Sequence, residues 1–293
     1  MDIIKYALTL ILTAVSHLVP GTYTPLLPPT TTTQTTQTTV AKPSITPQKE
    51  PVKPSALKTV HFAEYTSPAG TTSQYHLFAD NIDWNKPVKV VVRLHGDGDY
   101  TSVREFDRYK NGLVSQLAND ASMRNAIVLA PKSPDRKGNI TWWENMTYNE
   151  EWLTSLINNR ILTNSSIDKS QFYWNGYSGG SEFLSYYYIA KNPDLMTGGV
   201  LLCAGGGSSK RQEAFLASST VQRNLPLSWR VGALDDGSTS IDGFDALEAS
   251  LSGYEAYKRQ GFTRAERVVV PGKDHYNIDQ RAMMNDTIIK WMK

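Results

Sequence analysis

The sequence predicts an α/β domain, a mostly parallel central sheet with helices on both faces. Three observations carry this expectation. From residue 58 onward, strand-like and helix-like segments alternate, the arrangement that covers a parallel sheet with helices. The inner strand candidates are apolar along their length instead of alternating, as strands covered on both sides must be. The chain has 293 residues, 40% hydrophobic and 20% charged, ordinary values for a soluble globular protein.

The first segment, "MDIIKYALTLILTAVSHLVPG", carries Lys5 and then an apolar run over residues 6–19 broken by Thr9, Thr13, Ser16 and His17. It is too short and too polar for a membrane span, which takes roughly 20 apolar residues. It reads as a signal peptide or N-terminal anchor over residues 1–20, with cleavage expected near Ala14–Ser16. The protein is therefore expected to be secreted or extracytoplasmic, meeting a membrane only through this segment if it stays uncleaved. Residues 21–56 are rich in Thr, Pro and Gln and read as a disordered linker. Residues 57–293 are left for one α/β domain.

Within it, "KTVHFAEYT" and "SQYHLFAD" alternate and read as antiparallel strands, with His61 and His76 at the surface or half-buried. "VKVVVRLHGDG" is an apolar run with no outward polar face until Arg93, as expected of a strand covered on both sides. A helix is expected next, opened by a Ser102/Glu105 capping box and carried by Val103, Phe106, Leu113, Val114 and Leu117. "NAIVLAPKS" is another buried strand, and "EEWLTSLINNRILT" is an amphipathic helix burying Trp152, Leu153, Leu156, Ile157 and Ile161. "QFYWNGYSG" is a strand, and "SEFLSYYYIAKNP" a helix stopped by Pro193. "GGVLLCAGGG", "LSWRVGALDD" and "ERVVVPGKD" add three strands, and "DALEASLSGYEAYKRQ" and "IDQRAMMNDTIIKWMK" two helices. No long insertion separates the strand ending near Gly207 from the one starting near Ser228, so little or no lid is expected.

The formal net charge of +2 and the lack of a Lys/Arg cluster argue against a nucleic-acid partner. The single cysteine, Cys203, rules out an intrachain disulfide and any cysteine-based metal site, and its apolar surroundings predict a buried, inert thiol. No candidate metal cluster is visible, and no cofactor is expected.

The chemistry concentrates at Gly176-Tyr177-Ser178-Gly179-Gly180, a G-x-S-x-G motif between a strand and a helix. A sharp strand-to-helix turn lifts such a serine out of the sheet, and side chains at 176 or 180 would collide with neighbouring elements. The serine needs a base. His275, in a Gly-containing loop after the last strand, is the one histidine that follows it. The acid that orients the imidazole is expected at Asp235 or Asp236, with the G-x-x-D spacing from Gly232 favouring Asp235. Asp242, Asp245, Asp274 and Asp279 read as helix-start or loop residues. Oxyanion donors are expected from the N–H of Gly179 and from the His95-Gly96-Asp97-Gly98 loop, with Asp97 favoured over Gly98 and His95 bracing the loop. Trp142, Trp143 and Tyr177, and with them Tyr148, are candidates for lining the cleft, since aromatic faces stack on sugars and phenolic acyl groups.

With these residues in place the chain resembles the α/β-hydrolase serine esterases, in particular secreted polyhydroxybutyrate-depolymerase-like and feruloyl- or acetylxylan-esterase-like members. The matching pieces are "LHGDGD", "VLAPKS", "TWWEN", "SIDKSQFYWNGYSGG", "GALDD" and "PGKDHYN", spread over residues 94–277. The resemblance implies the α/β-hydrolase fold and an ester substrate that is small, carbohydrate-linked or polymeric. A serine peptidase of prolyl-oligopeptidase type, a cell-envelope acyltransferase and a non-catalytic binding module remain alternatives on the same scaffold.

Overall fold

The computed structural model describes residues 55–99, 101–135, 138–208 and 218–292. The expected signal segment 1–20 and nearly all of the 21–56 linker lie outside the described residues, as does part of the stretch on which the absence of a lid was argued.

Eight strands form one sheet: β1 (Val60–Thr66), β2 (Thr72–Phe78), β3 (Val88–Leu94), β4 (Ala126–Pro131), β5 (Ile167–Tyr177), β6 (Gly199–Cys203), β7 (Leu227–Gly232) and β8 (Ala265–Val270). Their order is β1-β2-β4-β3-β5-β6-β7-β8. β1 pairs antiparallel with β2 and β2 with β4, and every other neighbouring pair is parallel.

The period-2 geometry of a strand sorts the apolar residues onto two faces. On one face Val90, Val92, Trp174, Val200 and Leu202 pack against Trp152, Leu153 and Leu156 of α3 (Met146–Leu156) and against Phe183 and Leu184. On the other, Val91, Tyr173, Leu201 and Cys203 pack against Leu117 and Ala121 of α2 (Leu113–Ser122) and against Met284 and Ile288 of the C-terminal helical run. Each such fully buried aliphatic side chain contributes about 1.5–3 kcal/mol of transfer free energy. This two-sided burial is why β4 and β6 read as unbroken apolar runs.

The Ser102/Glu105 capping box does not form. Ser102 donates instead to Asp99 (3.0 Å), and Glu105 is taken by Arg93. The segment breaks into a short α1 (Arg104–Asp107) and then α2. Arg93 is not an outward residue either: it is 1% exposed and forms an ion pair with Glu105 at 2.7 Å. His76, expected at the surface or half-buried, is fully buried, with Nδ1 accepting from the Phe62 N–H (3.2 Å) and Nε2 within 3.0 Å of the Phe106 carbonyl. Cys203 is buried, and burial pushes its thiol up to about 11. Asp245 and Asp279 are helix N-caps, accepting from the Glu248 and Ala282 N–H groups.

Parallel pairing of β3, β5, β7 and β8 through their neighbours puts their C-terminal ends at one sheet edge, where open α/β sheets bind ligands. The His95, Ser178, Asp235 and His275 segments each begin there.

Candidate active site

The turn after β5 is strained at one residue. Ser178 has φ 49° and ψ −122°, outside the regions comfortable for a residue with a side chain. Such a conformation costs about 1–3 kcal/mol and persists only when its surroundings fix it. The fixing contacts are present. Ser178 N–H donates to the Cys203 carbonyl (2.9 Å), and the Ser178 carbonyl accepts from the N–H groups of Ser181 (2.8 Å) and Glu182 (3.0 Å). Glycine is required on both sides. A Cβ on Gly176 would lie 2.7 Å from the Ser181 nitrogen, and one on Gly180 would lie 2.6 Å from the His95 carbonyl oxygen. The chain then enters α4 (Gly179–Phe183), whose first N–H groups have no intrahelical acceptor.

His275 arrives from the loop after β8. Its Nε2 stands 3.0 Å from Ser178 Oγ, and its Nδ1 stands 2.9 Å from Asp235 Oδ1 and 3.1 Å from Oδ2. Asp235 is fully buried and His275 nearly so. The neighbouring Asp236 is turned away, its exposed carboxylate accepting from the N–H and hydroxyl of Ser238. The histidine loop is held from two sides. The Tyr177 hydroxyl donates to the His275 carbonyl (2.6 Å), and the Asp274 carboxylate accepts from the N–H groups of Tyr276 and Asn277 (2.8 Å each). Asp274 is thus a loop residue, as its position suggested.

No family model matches the sequence, and no curated protein matches it. Solved structures do match at the level of fold. A feruloyl esterase module from Clostridium thermocellum, complexed with sinapinate, aligns with TM-score 0.51 and 14% identity over 80% of this chain and 87% of its own. The poly(3-hydroxybutyrate) depolymerase LpqC from Bordetella parapertussis aligns with TM-score 0.53 and 15% identity over 80% and 89%. A prolyl endopeptidase aligns with TM-score 0.52 and 11% identity over 80% of this chain but 37% of its own. This chain has the α/β-hydrolase fold.

In this fold the loop after β3 packs directly on the elbow: a Cβ on Gly96 would come within 3.1 Å of Ser178 Cβ. His95 braces that loop from below. It is buried, its Nδ1 lies 2.6 Å from the Gly96 carbonyl, and its Nε2 accepts from the Ser133 N–H (3.0 Å). Burial holds its imidazole down at about 4, so it stays neutral. The Asp97 carboxylate lies against Gly179 and accepts from the Trp143 indole N–H (2.9 Å). Burial raises Asp97 to about 6, with Asp242 and Glu144 adding to the effect and the Trp143 bond opposing it.

A cleft of about 700 Å³ contains Ser178 and His275 and is lined by Tyr177, Phe244, Ile241 and Tyr276 among others. The aromatic candidates divide. Tyr177 lines the cleft, and Trp143 stands beside it through Asp97. Trp142 does not reach it: it is fully buried, packed between His95 and Phe183 at ring distances of 5.3 and 5.6 Å. A Trp pair in a turn gives no sign of which ring faces inward, so the pair was not separable by sequence. Tyr148 is exposed but is not part of the cleft wall.

Three features were missed. Glu182, just past the motif, is buried and accepts from the N–H groups of Gly206 (2.8 Å) and Gly207 (3.1 Å), tying the elbow helix to the loop after β6. Burial raises its carboxyl above the ordinary range. Phe244 and Tyr276 flank His275 at ring distances of 6.0 and 5.3 Å. Arg104 and Arg108 line the cleft. Only the Glu182 position carried a sequence signal, an acid inside an otherwise apolar helix start. Among the described residues no group of His, Cys, Asp or Glu is arranged to hold a metal, and no helix is long and apolar enough to cross a membrane.

Proposed function

We propose that this protein is a serine hydrolase of carboxylic esters, working through Ser178, His275 and Asp235. The observation that carries the reading is the continuous chain from Asp235 through His275 to Ser178 Oγ, ending at a serine held at φ 49°. Asp235 keeps the imidazole proton on Nδ1, leaving Nε2 as the base. Ser178 Oγ attacks the ester carbonyl as its proton passes to Nε2. The carbonyl oxygen becomes an oxyanion facing the N–H groups of Gly179 and Asp97. Collapse expels the alcohol, which takes the proton back from His275, and leaves an acyl group on Ser178. Water then attacks, deprotonated by the same nitrogen, and releases the acid. No cofactor takes part in this sequence.

Tyr177 serves as a wall of the cleft and as a brace of the histidine loop, and Trp143 fixes the Asp97 side chain. The substrate is an ester reached through an open cleft, carbohydrate- or polymer-linked esters included. Export follows from the N-terminal segment over residues 1–20. A peptidase reading draws on the prolyl endopeptidase match, which spans 80% of this chain. Rates on matched ester and anilide substrates decide between the two. Ser178→Ala is expected to abolish 4-nitrophenyl acetate hydrolysis and labelling by a fluorophosphonate. Full activity in that variant rules the mechanism out.

A further inference from the structure

We propose that Arg104 and Arg108 form an anion subsite within the catalytic cleft, so that the preferred esters carry a carboxylate. The inference rests on the esterase reading above and adds a substrate class to it.

Both arginines line the cleft that holds Ser178 and His275. They stand one helical turn apart: the Arg108 N–H donates to the Arg104 carbonyl at 3.1 Å. Arg104 opens α1 and Arg108 is its C-cap residue, so the two sit at the two ends of one turn. Both residues are exposed.

The acids around them are all committed elsewhere. Glu105 accepts from Arg93 Nε (2.7 Å) and Nη2 (2.8 Å). Asp107 accepts from the Val103 N–H (3.0 Å) and faces Lys132 Nζ at 3.7 Å. Asp99 is used by its own loop, accepting from the N–H groups of Thr101 (2.8 Å) and Ser102 (2.7 Å). Among the described residues neither Arg104 nor Arg108 has a carboxylate partner. Arg93, Arg230 and Arg281, by contrast, are each paired with a carboxylate at 2.7–2.8 Å. Both arginines therefore line the cleft with no carboxylate of the described residues at ion-pair distance.

The other charged groups of the cleft set the direction of binding. Asp97 lies beside the elbow, and Asp242 comes from the loop after β7, where its carboxylate accepts from the Phe244 N–H (3.2 Å). An anionic group is repelled from those two and drawn toward the arginines, while Phe244, Ile241 and Tyr276 offer apolar surface to the rest of the molecule. The guanidinium fork matches a carboxylate's two oxygens.

The test uses the purified full chain and two matched pairs of chromogenic esters. 4-Nitrophenyl hemiadipate against 4-nitrophenyl hexanoate places the carboxylate on the acyl side. 3-Carboxy-4-nitrophenyl acetate against 4-nitrophenyl acetate places it on the leaving group. Each kcat/KM is normalised to the ester's own hydroxide-catalysed rate. At low salt, one of the two anionic esters is expected to be preferred over its neutral partner by about tenfold, the preference shrinking in 1 M NaCl. Arg104→Glu together with Arg108→Glu is expected to reverse the preference. Equal treatment of both pairs, or a preference that survives charge reversal, overturns the subsite and leaves the esterase reading standing. If no ester is hydrolysed and a fluorophosphonate does not label Ser178, the esterase reading falls, and the subsite with it.

Discussion

Replacing Gly180 by alanine tests the elbow most directly. The added Cβ would lie 2.6 Å from the His95 carbonyl oxygen and 2.7 Å from the Leu94 carbonyl oxygen. Ordinary contact begins near 3.4 Å, so about 0.7–0.8 Å must be found. Neither obstacle is a flexible side chain. Leu94 ends β3, paired with Gly176 in the centre of the sheet, and His95 is locked by its bonds to Gly96 and Ser133. The displacement therefore falls on α4 and the serine that precedes it. Overpacking of this kind costs about 1–3 kcal/mol, which lowers the melting temperature by about 2–4 °C per kcal/mol in a domain of this size. The larger effect is on rate. Ser178 Oγ stands 3.0 Å from His275 Nε2, and a misplacement approaching 1 Å costs about 100-fold. Steady-state hydrolysis of 4-nitrophenyl acetate and a thermal melt measure the two effects. Gly138→Ala is the control, since a Cβ there meets nothing within 4 Å. Gly180→Ala with wild-type rate and melting temperature would refute the claim that close packing fixes Ser178.

Two further outcomes follow from titrating groups. Asp97→Asn is expected to raise kcat/KM on a neutral ester above pH 6, because the wild-type carboxyl, held at about 6, is ionised there beside the proposed oxyanion donors. Charge interactions at an exposed residue such as Asp97 are worth about 1 kcal/mol or less, so the gain is about fivefold at most. The variant-to-wild-type ratio should grow as pH rises through 6, and a variant slower at every pH contradicts the argument. On acidification from about pH 6.5 towards pH 4, His76 and His95 should each withdraw stability, because burial holds them at about 4 while their unfolded forms protonate near 6.5. Each histidine contributes a loss of about 1.4 kcal/mol per pH unit in that window, opposed below pH 6 by the raised carboxyls of Asp97 and Glu182, which take up protons in the folded state. Urea midpoints at pH 7 and pH 4.5 measure the loss, and a slope in His76→Gln as steep as in wild type removes His76 from the account.

The sheet was legible because burial on both faces writes itself into composition. β4 and β6 are apolar along their length, and each lies inside the sheet. The G-x-S-x-G motif was legible because only glycine tolerates the close approaches at positions 176 and 180. What failed was local pattern without its partners. Ser102 and Glu105 have capping-box spacing, yet Arg93, buried one strand away, claims the glutamate at 2.7 Å. A bidentate bond to a buried guanidinium outweighs a cap worth about 1 kcal/mol.

The sequence alone determined the layered α/β architecture, the position of the elbow and the set of polar side chains able to meet it, because periodicity and glycine placement act over short range. Tertiary structure decided the rest. Asp235 and not Asp236 faces His275, and Trp143 and not Trp142 bonds the Asp97 carboxylate. Adjacent residues share composition and context but leave the backbone in different directions. Which of the two turns inward is set by the path of the chain around it, and no local pattern encodes that path.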